Sequence, residues 1–229
     1  MGTVLIVDGS DVCRAPIIEF ALQKQFAGDG ALADATVVSR GLEATGHGLI
    51  CDLAAGRLGS SMRAATFSVS HRGRRLTVED AEQADLILTA ERAHRSAVVR
   101  TAAIARGRTF TLKEALVLTS VLTDEVRTGR SPRPQTLEDT VALLDEVRGS
   151  IPLIEPPMHT SVFHRDRALP SSDPLALTDG HADAALHRHA TDEAYQVALT
   201  LGSRLVDLTE DKMARIGSTP NDWWWRQHA

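Results

Sequence analysis

The chain is short of aromatic residues, of cysteine and of long apolar runs, and each shortage excludes something. Phe, Trp and Tyr make up 4% of its 229 residues, so a core has to be built from Ala, Leu, Val and Ile, as in helix-rich α/β proteins. With only Cys13 and Cys51 there is no disulfide framework and no zinc site of the CxxC type, which fits a reducing compartment. No apolar run is long enough to span a membrane. Charge of one sign does not dominate either. The 25 basic and 30 acidic residues, net charge -5, are spread along the chain, leaving no basic footprint for nucleic acid and no polybasic anchor for a membrane. Met1 leads straight into Val4-Leu5-Ile6-Val7 without a basic flank or cleavage site, so the expectation is a cytoplasmic protein.

What is present alternates between two periods. Thr3 to Val7 is a short apolar, β-branched run that ends in the turn-like cluster Asp8-Gly9-Ser10-Asp11. A helical pattern follows through Ile17, Ile18, Ala21, Leu22 and Phe26, with Pro16 in its first turn, where a missing N–H does no harm. Ala35 to Ser39 and Asp85 to Thr89 read as further buried strands, and helical patterns lie at about 47–59, 78–83 and 91–105. Gln135 to Arg148 and Glu193 to Leu208 each carry an apolar stripe at helical spacing. Strands alternating with helices predict a three-layer α/β/α architecture around a short, twisted parallel sheet.

The length suits a single domain over residues 1–212. Residues 149–190 hold five of the nine prolines and five of the nine histidines, which predicts an irregular insertion, and loops of that length usually carry function or are disordered. His159, His164, His181, His187 and His189 read as a solvated His-rich loop, because no cysteine or helical His-x₃-His pair accompanies them. Residues 213–229 form a tail, and Trp223-Trp224-Trp225 in it are expected to pack on the domain or on a partner chain.

A strand that ends in small residues and opens a helix makes an anion cradle, since backbone N–H groups and the helix dipole converge there. Arg14 adds a planar fork of donors. The run Val7-Asp8-Gly9-Ser10-Asp11-Val12-Cys13-Arg14-Ala15-Pro16 resembles, in register, the signature V-C-x-G-N-x-C-R-S-P of the low-molecular-weight protein tyrosine phosphatases. Cys13, Arg14 and Pro16 match it. Ser39-Arg40-Gly41 is similar to that family's S-A-G, His71 to Thr77 to its H-x-S-R-x-L-T stretch, and Ala84 to Thr89 to its A-D-L-I-L strand. Arg108 to Leu112 is similar to a following strand of actinobacterial-type members. The resemblance implies the low-molecular-weight phosphatase fold, with Gly9, Ser10, Asp11, Val12, Cys13, Arg14 and Ala15 as the phosphate loop.

The departures fall where the chemistry belongs. Family members attack phosphorus with a cysteine thiolate, and Asp8 stands in that place here. Asp11 replaces the loop asparagine, and Ala15 replaces a serine whose hydroxyl helps hold the nucleophile. The Asp8 carboxylate is expected to take hydrogen bonds from the loop amides and from Arg14, so that the site holds its own anion. A phosphate ester approaching Asp8 and Asp11 meets like charges, each costing on the order of 1–4 kcal/mol. Aspartyl phosphoryl acceptors normally use Mg²⁺, and the D-x-D spacing of one such class is absent.

The resemblance also calls for a general acid in an Asp-Pro pair before the last helix. Asp173-Pro174 is the chain's one such pair, and it reads equally as a turn opener; Glu155-Pro156 is a poorer match. Cys51 is similar to the resolving thiols of the arsenate reductases that share this fold, but with no nucleophilic cysteine and no third thiol that relay cannot run. Cys13 reads as a small residue beneath the loop. Two readings follow. One is a catalytically impaired pseudophosphatase without cofactor or metal, binding an unidentified protein partner or a second copy of itself. The other is a phosphatase acting on phosphotyrosine or small phosphate esters, with Asp8, Arg14 and Asp173 as its catalytic residues.

Overall fold

In a computed structural model, which describes residues 2–28, 30–150, 173–180 and 183–210, four strands form one parallel sheet. They are β1 (Thr3–Asp8), β2 (Thr36–Gly41), β3 (Leu86–Thr89) and β4 (Thr109–Thr111), in the order β2-β1-β3-β4. Register runs Thr3 on Thr36, Val4 on Leu86 and Ile87 on Thr109. Eight α-helices accompany them: α1 (Arg14–Phe26), α2 (Asp52–Leu58), α3 (Met62–Ser70), α4 (Val78–Gln83), α5 (Arg92–Thr101), α6 (Leu112–Arg127), α7 (Leu137–Glu146) and α8 (Ala184–Thr209).

The pleat explains the layers. Successive side chains of β1 point to opposite faces: Val4 and Ile6 join one core with Leu86, Leu88, Phe110 and residues of α1, α6, α7 and α8. Leu5 and Val7 join a second core with Ile87, Ala81 of α4 and Val98 of α5. A strand covered on both faces needs a continuous apolar run, and Val4-Leu5-Ile6-Val7 is one. The longest helix, α8, lies against α1, where Gly202 admits the close approach: a Cβ there would sit 2.8 Å from Gln25 and 3.1 Å from Leu22. Phe110 is fully buried on β4, and the Arg148 guanidinium lies 4.1 Å from its ring centre.

Several sequence expectations change. Residues 184–190 are not irregular but form the first turns of α8, whose Asp183 carboxylate accepts the N–H groups of Ala185 and Leu186 as an N-cap. His187 and His189 are therefore helical residues. That helix begins nine residues before the apolar stripe that predicted it, because its first turns bury little: Ala184, Ala185, Arg188 and His189 are exposed. The pattern over 91–105 breaks at Ala102 into a short 3₁₀ turn, Ala103–Arg108. Helix α2 keeps only Asp52–Leu58 of the 47–59 pattern. Helix α6 was not among the expected helices; it opens on Thr111 and Glu114, which form a capping box of reciprocal side-chain and backbone bonds,. Helix α3 buries only Ala64 and so leaves no stripe to read. Residues 151–172 and 211–229, with His159, His164, Glu155-Pro156 and Trp223 to Trp225, lie outside the described residues, as does His181.

Candidate functional site

In an open parallel sheet ligands bind beyond the C-terminal strand ends, where connections leave in opposite directions. Here that point is between β1 and β3, and the Gly9–Cys13 loop occupies it. The loop's carbonyls are committed to their surroundings. Asp8 O accepts Leu42 N–H, Gly9 O accepts Glu43 N–H, Val12 O accepts Cys51 N–H and Cys13 O accepts Ile17 N–H. Asp11 O lies 2.9 Å from His71 Nε2. From outside, Gly41 and Gly73 press on the loop: a Cβ on Gly41 would stand 2.7 Å from the Ser10 carbonyl carbon, and one on Gly73 3.0 Å from Asp11 O. With its acceptors turned to neighbours, the loop keeps its N–H groups for an anion.

Asp8 supplies one. Its side chain is buried, and Oδ1 accepts the Asp11 N–H at 2.7 Å while Oδ2 accepts the Ala15 N–H at 3.2 Å. Charge-assisted bonds of this kind are the strong class. Arg14 departs from expectation. It is buried, but its Nη1 donates to Glu91 Oε1 at 2.7 Å and to the Thr178 carbonyl at 3.3 Å instead of to Asp8. The reason is local: both Asp8 oxygens already have amide donors, and Glu91, just past the end of β3, offers a carboxylate to the same cation. Arg14 Nε is buried without a hydrogen-bond partner among the described residues. His94 of α5 closes another side, its Nε2 being 4.0 Å from where a Gly9 Cβ would stand. Burial holds its imidazole below the usual range, against the pull of Glu91.

Asp11 takes the left-handed backbone conformation, φ 57°, which Asn and Asp tolerate better than other side chains. Its Oδ2 accepts the Arg74 N–H at 2.9 Å, and Oδ1 is 3.6 Å from His71 Nε2. Burial pushes its pKa from 3.8 up to about 6, despite the opposing effects of Ser39, Arg74 and His71. Beneath it Ser39 donates to Glu19 at 2.6 Å, and burial raises Glu19 as well. A carboxyl raised on folding gives stability that is full below its unfolded pKa and lost as pH rises through the folded one. Asp11→Asn is therefore expected to leave stability unchanged below pH 4 and to raise it above pH 6 by up to about 3 kcal/mol, measured by urea unfolding at both pH values. Equal stability at pH 7 would refute the ionisation cost.

Asp173 is not brought onto Asp8 or Arg14 by any hydrogen bond. Its Oδ1 accepts the Leu175 N–H, a turn-opening role, and its Oδ2 pairs with Arg92 at 2.9 Å. The same segment does reach the loop through Thr178, and Asp179 lies close enough to act on His94 together with Asp8 and Arg14. Sequence reasoning missed Glu91, His94 and Asp179. No motif marked them, although each stands just beyond a strand end or just before the last helix. It also missed what surrounds Cys13, whose buried thiol lies 2.7 Å from Cys51 Sγ, itself 3.7 Å from His187 Nε2. A depression of about 550 Å³ lined by Glu82, Asp85, Arg108, Glu138 and Asp145 lies at the opposite, N-terminal edge of β3 and β4 and does not reach this site.

No family model matches the sequence, and no curated protein does either. Solved structures do match. The arginine phosphatase YwlE from Geobacillus stearothermophilus aligns over 96% of this chain and 100% of its own, at 16% identity and a TM-score of 0.54. A YwlE mutant from Bacillus subtilis aligns over 90% and 99%, at 18% identity and TM-score 0.51. A low-molecular-weight phosphotyrosine phosphatase from Vibrio cholerae O395 covers 94% and 100%, at 13% identity and TM-score 0.54. At such identities the likeness carries architecture only. Among the described residues no helix is long and apolar enough to cross a membrane. Four parallel strands in the order β2-β1-β3-β4, helices on both faces and a loop at the end of β1 that opens α1 thus give this chain the low-molecular-weight tyrosine phosphatase fold.

Proposed function

We propose that this protein is a pseudophosphatase: a phosphatase fold whose anion cradle is filled by its own Asp8, and which works by binding a partner rather than by transferring phosphate. The observation that carries the reading is the pair of bonds from the Asp11 and Ala15 amides to the two Asp8 oxygens. Those donors would otherwise meet a phosphate. Arg14 supports it, being held by Glu91. So does the charge around the loop, where Asp8, Glu91 and Asp179 share the surroundings of His94 with one buried arginine and Asp11 lies near Asp8. An incoming phosphate dianion has to displace one carboxylate and approach the others, each at a cost on the order of 1–4 kcal/mol.

Asp8 makes a poor phosphoryl acceptor for the same reason: both oxygens are bonded, and bonds to the ionised form lower a carboxylate's nucleophilicity. The test is calorimetric titration with inorganic phosphate, beside an aryl phosphate assay with and without Mg²⁺. The wild-type chain is expected to bind no phosphate at millimolar concentration and to show no turnover in either assay. Asp8→Ala, with its amides released and Arg14 Nε open, is expected to bind phosphate at least about tenfold more tightly, the gain of one charge-assisted bond. Turnover by the wild type with Mg²⁺ that is abolished in Asp8→Ala would make Asp8 catalytic and end the pseudophosphatase reading.

A further inference from the structure

Beside the loop, and independent of how the loop is used, lie the only two cysteines in the chain. Their sulfurs are 2.7 Å apart, well inside van der Waals contact and less than about 1 Å from the ~2.05 Å of a bond. The backbones are tied at the same place, since Cys51 N–H donates to the carbonyl of Val12, the neighbour of Cys13, at 2.8 Å. Closing the last distance therefore needs rotation of side chains and no rearrangement of strands or helices. The two thiols are not equivalent. Cys13 is 1% exposed and donates its S–H to Cys51; Cys51 is half-buried and reachable from solvent. Cys51 Sγ also accepts the Ala54 N–H at 3.4 Å and faces His187 Nε2 at 3.7 Å. All of these favour the thiolate on Cys51 and the thiol on Cys13.

The geometry points to a dithiol–disulfide redox site in which Cys51 is oxidised by a hydroperoxide and Cys13 closes the bond. In the first step the Cys51 thiolate attacks one peroxide oxygen. The S–O bond forms, the O–O bond breaks, and the departing alkoxide or hydroxide takes a proton from solvent, leaving Cys51 as a sulfenic acid. In the second step Cys13 sulfur attacks Cys51 sulfur. The S–S bond forms, the S–O bond breaks, and the leaving hydroxide takes the proton that Cys13 gives up. Two thiols and one hydroperoxide yield a disulfide, an alcohol (or water) and water, and two electrons pass from sulfur to peroxide. A dithiol reductant reverses it by exchange.

The same atoms present a possible soft-metal ligand set, Cys13, Cys51 and His187 lying within 4.8 Å of one another. A tetrahedral zinc with bonds of about 2.3 Å separates its sulfurs by roughly 3.8 Å, about 1 Å wider than this pair. The spacing thus favours the covalent bond.

The test uses the whole chain, reduced, exposed to hydrogen peroxide, quenched with N-ethylmaleimide and digested without reductant. The result expected is a peptide linking Cys13 to Cys51, an intact mass lower by two hydrogens, and recovery of both thiols with dithiothreitol. In Cys13→Ser, dimedone is expected to label Cys51; in Cys51→Ser, Cys13 stays unlabelled. Peroxide that gives sulfinic acid in the wild type without the cross-link overturns the proposal, and so does a dimedone adduct on Cys13. So does stoichiometric binding of Zn²⁺ alone that shields both thiols and prevents the cross-link. The wild-type peptide map decides the matter even where a variant fails to fold.

Discussion

Asp8→Cys is expected to hydrolyse an aryl phosphate at least about a hundredfold faster than the wild-type chain, the low end of what an activated nucleophile with an acid partner supplies. The backbone needed for it is in place. Loop carbonyls are bonded outward, Gly41 and Gly73 brace the loop, and the amides of Asp11 and Ala15 face the side chain at position 8. A thiolate there takes over those bonds, and an approaching phosphate draws Arg14 from Glu91, which is 28% exposed and can be solvated when released. Two features hold the rate far below that of an efficient enzyme. Ala15 has no hydroxyl to steady the thiolate, and Asp11 keeps a carboxyl where an amide would be neutral. Asp8→Cys with Asp11→Asn is accordingly expected to be faster than Asp8→Cys alone. The assay runs under reductant, because a thiol at position 8 stands near Cys13. A folded Asp8→Cys protein that binds phosphate and yet turns over no faster than wild type would mean that no acid reaches the leaving group, and would remove Asp173 and Asp179 from consideration.

Glu193→Ala should cost about 3–5 kcal/mol, the range for breaking a buried ion pair from one side, and a large share of the ~5–15 kcal/mol typical of a domain. Glu193 on α8 receives Lys113 of α6 at 2.6 Å and the Thr178 N–H at 2.7 Å. Lys113 is 7% exposed, so the truncation removes a carboxylate from beside a buried cation and unties the segment that carries Thr178 to Arg14. Urea unfolding measures the loss. The double variant Lys113→Met with Glu193→Leu should recover most of it, because the desolvation penalty disappears along with the pair; a double variant as unstable as the single would place the cost in the Thr178 bond instead. Acid titration gives a second check. Burial alone would raise Glu193, but Lys113 and Thr178 outweigh it and hold the carboxyl below its usual range. Its contribution is present above the ordinary value of 4.5 and lost as pH falls through the lowered one. Asp11 runs the other way, losing stability as pH rises through about 6. The two together predict greatest stability between those limits.

The sheet was legible because a strand buried on both faces must be apolar throughout, and β1 and β3 are short runs of that kind bounded by turns, while the edge strand β2 alternates in burial and showed through Val37 and Val38. The loop that joins β1 to α1 was legible for a different reason: residues 7–16 keep the spacing of the signature they resemble even where their chemistry differs. Asp8's bonds to the loop amides could be reasoned from charge alone. Arg14's could not, because the competing carboxylate, Glu91, is 77 residues away in the chain and comes near only once β3 pairs with β1. The start of α8 was hidden by a run of His, Arg and Ala that buries little, and the Cys13–Cys51 pair by a separation of 38 residues with no motif across it.

The strand order also sets when this protein can finish folding as it is made. Strand β1, interior to the sheet, leaves the ribosome before the other three, yet one of its partners is β3, and the α1 face that covers it is sealed by α8, where Gly202 meets Leu22 and Gln25. At about 5–20 residues per second, the roughly 180 residues between α1 and the seat of Gly202 take on the order of 10–40 s to translate. Throughout that interval Leu22 and the rest of the α8-facing side of α1 lack the cover that α8 gives them. The nascent chain is in this sense a client for whatever binds exposed apolar segments, and a pause in translation before residue 184 would lengthen that exposure without altering a single contact of the finished molecule.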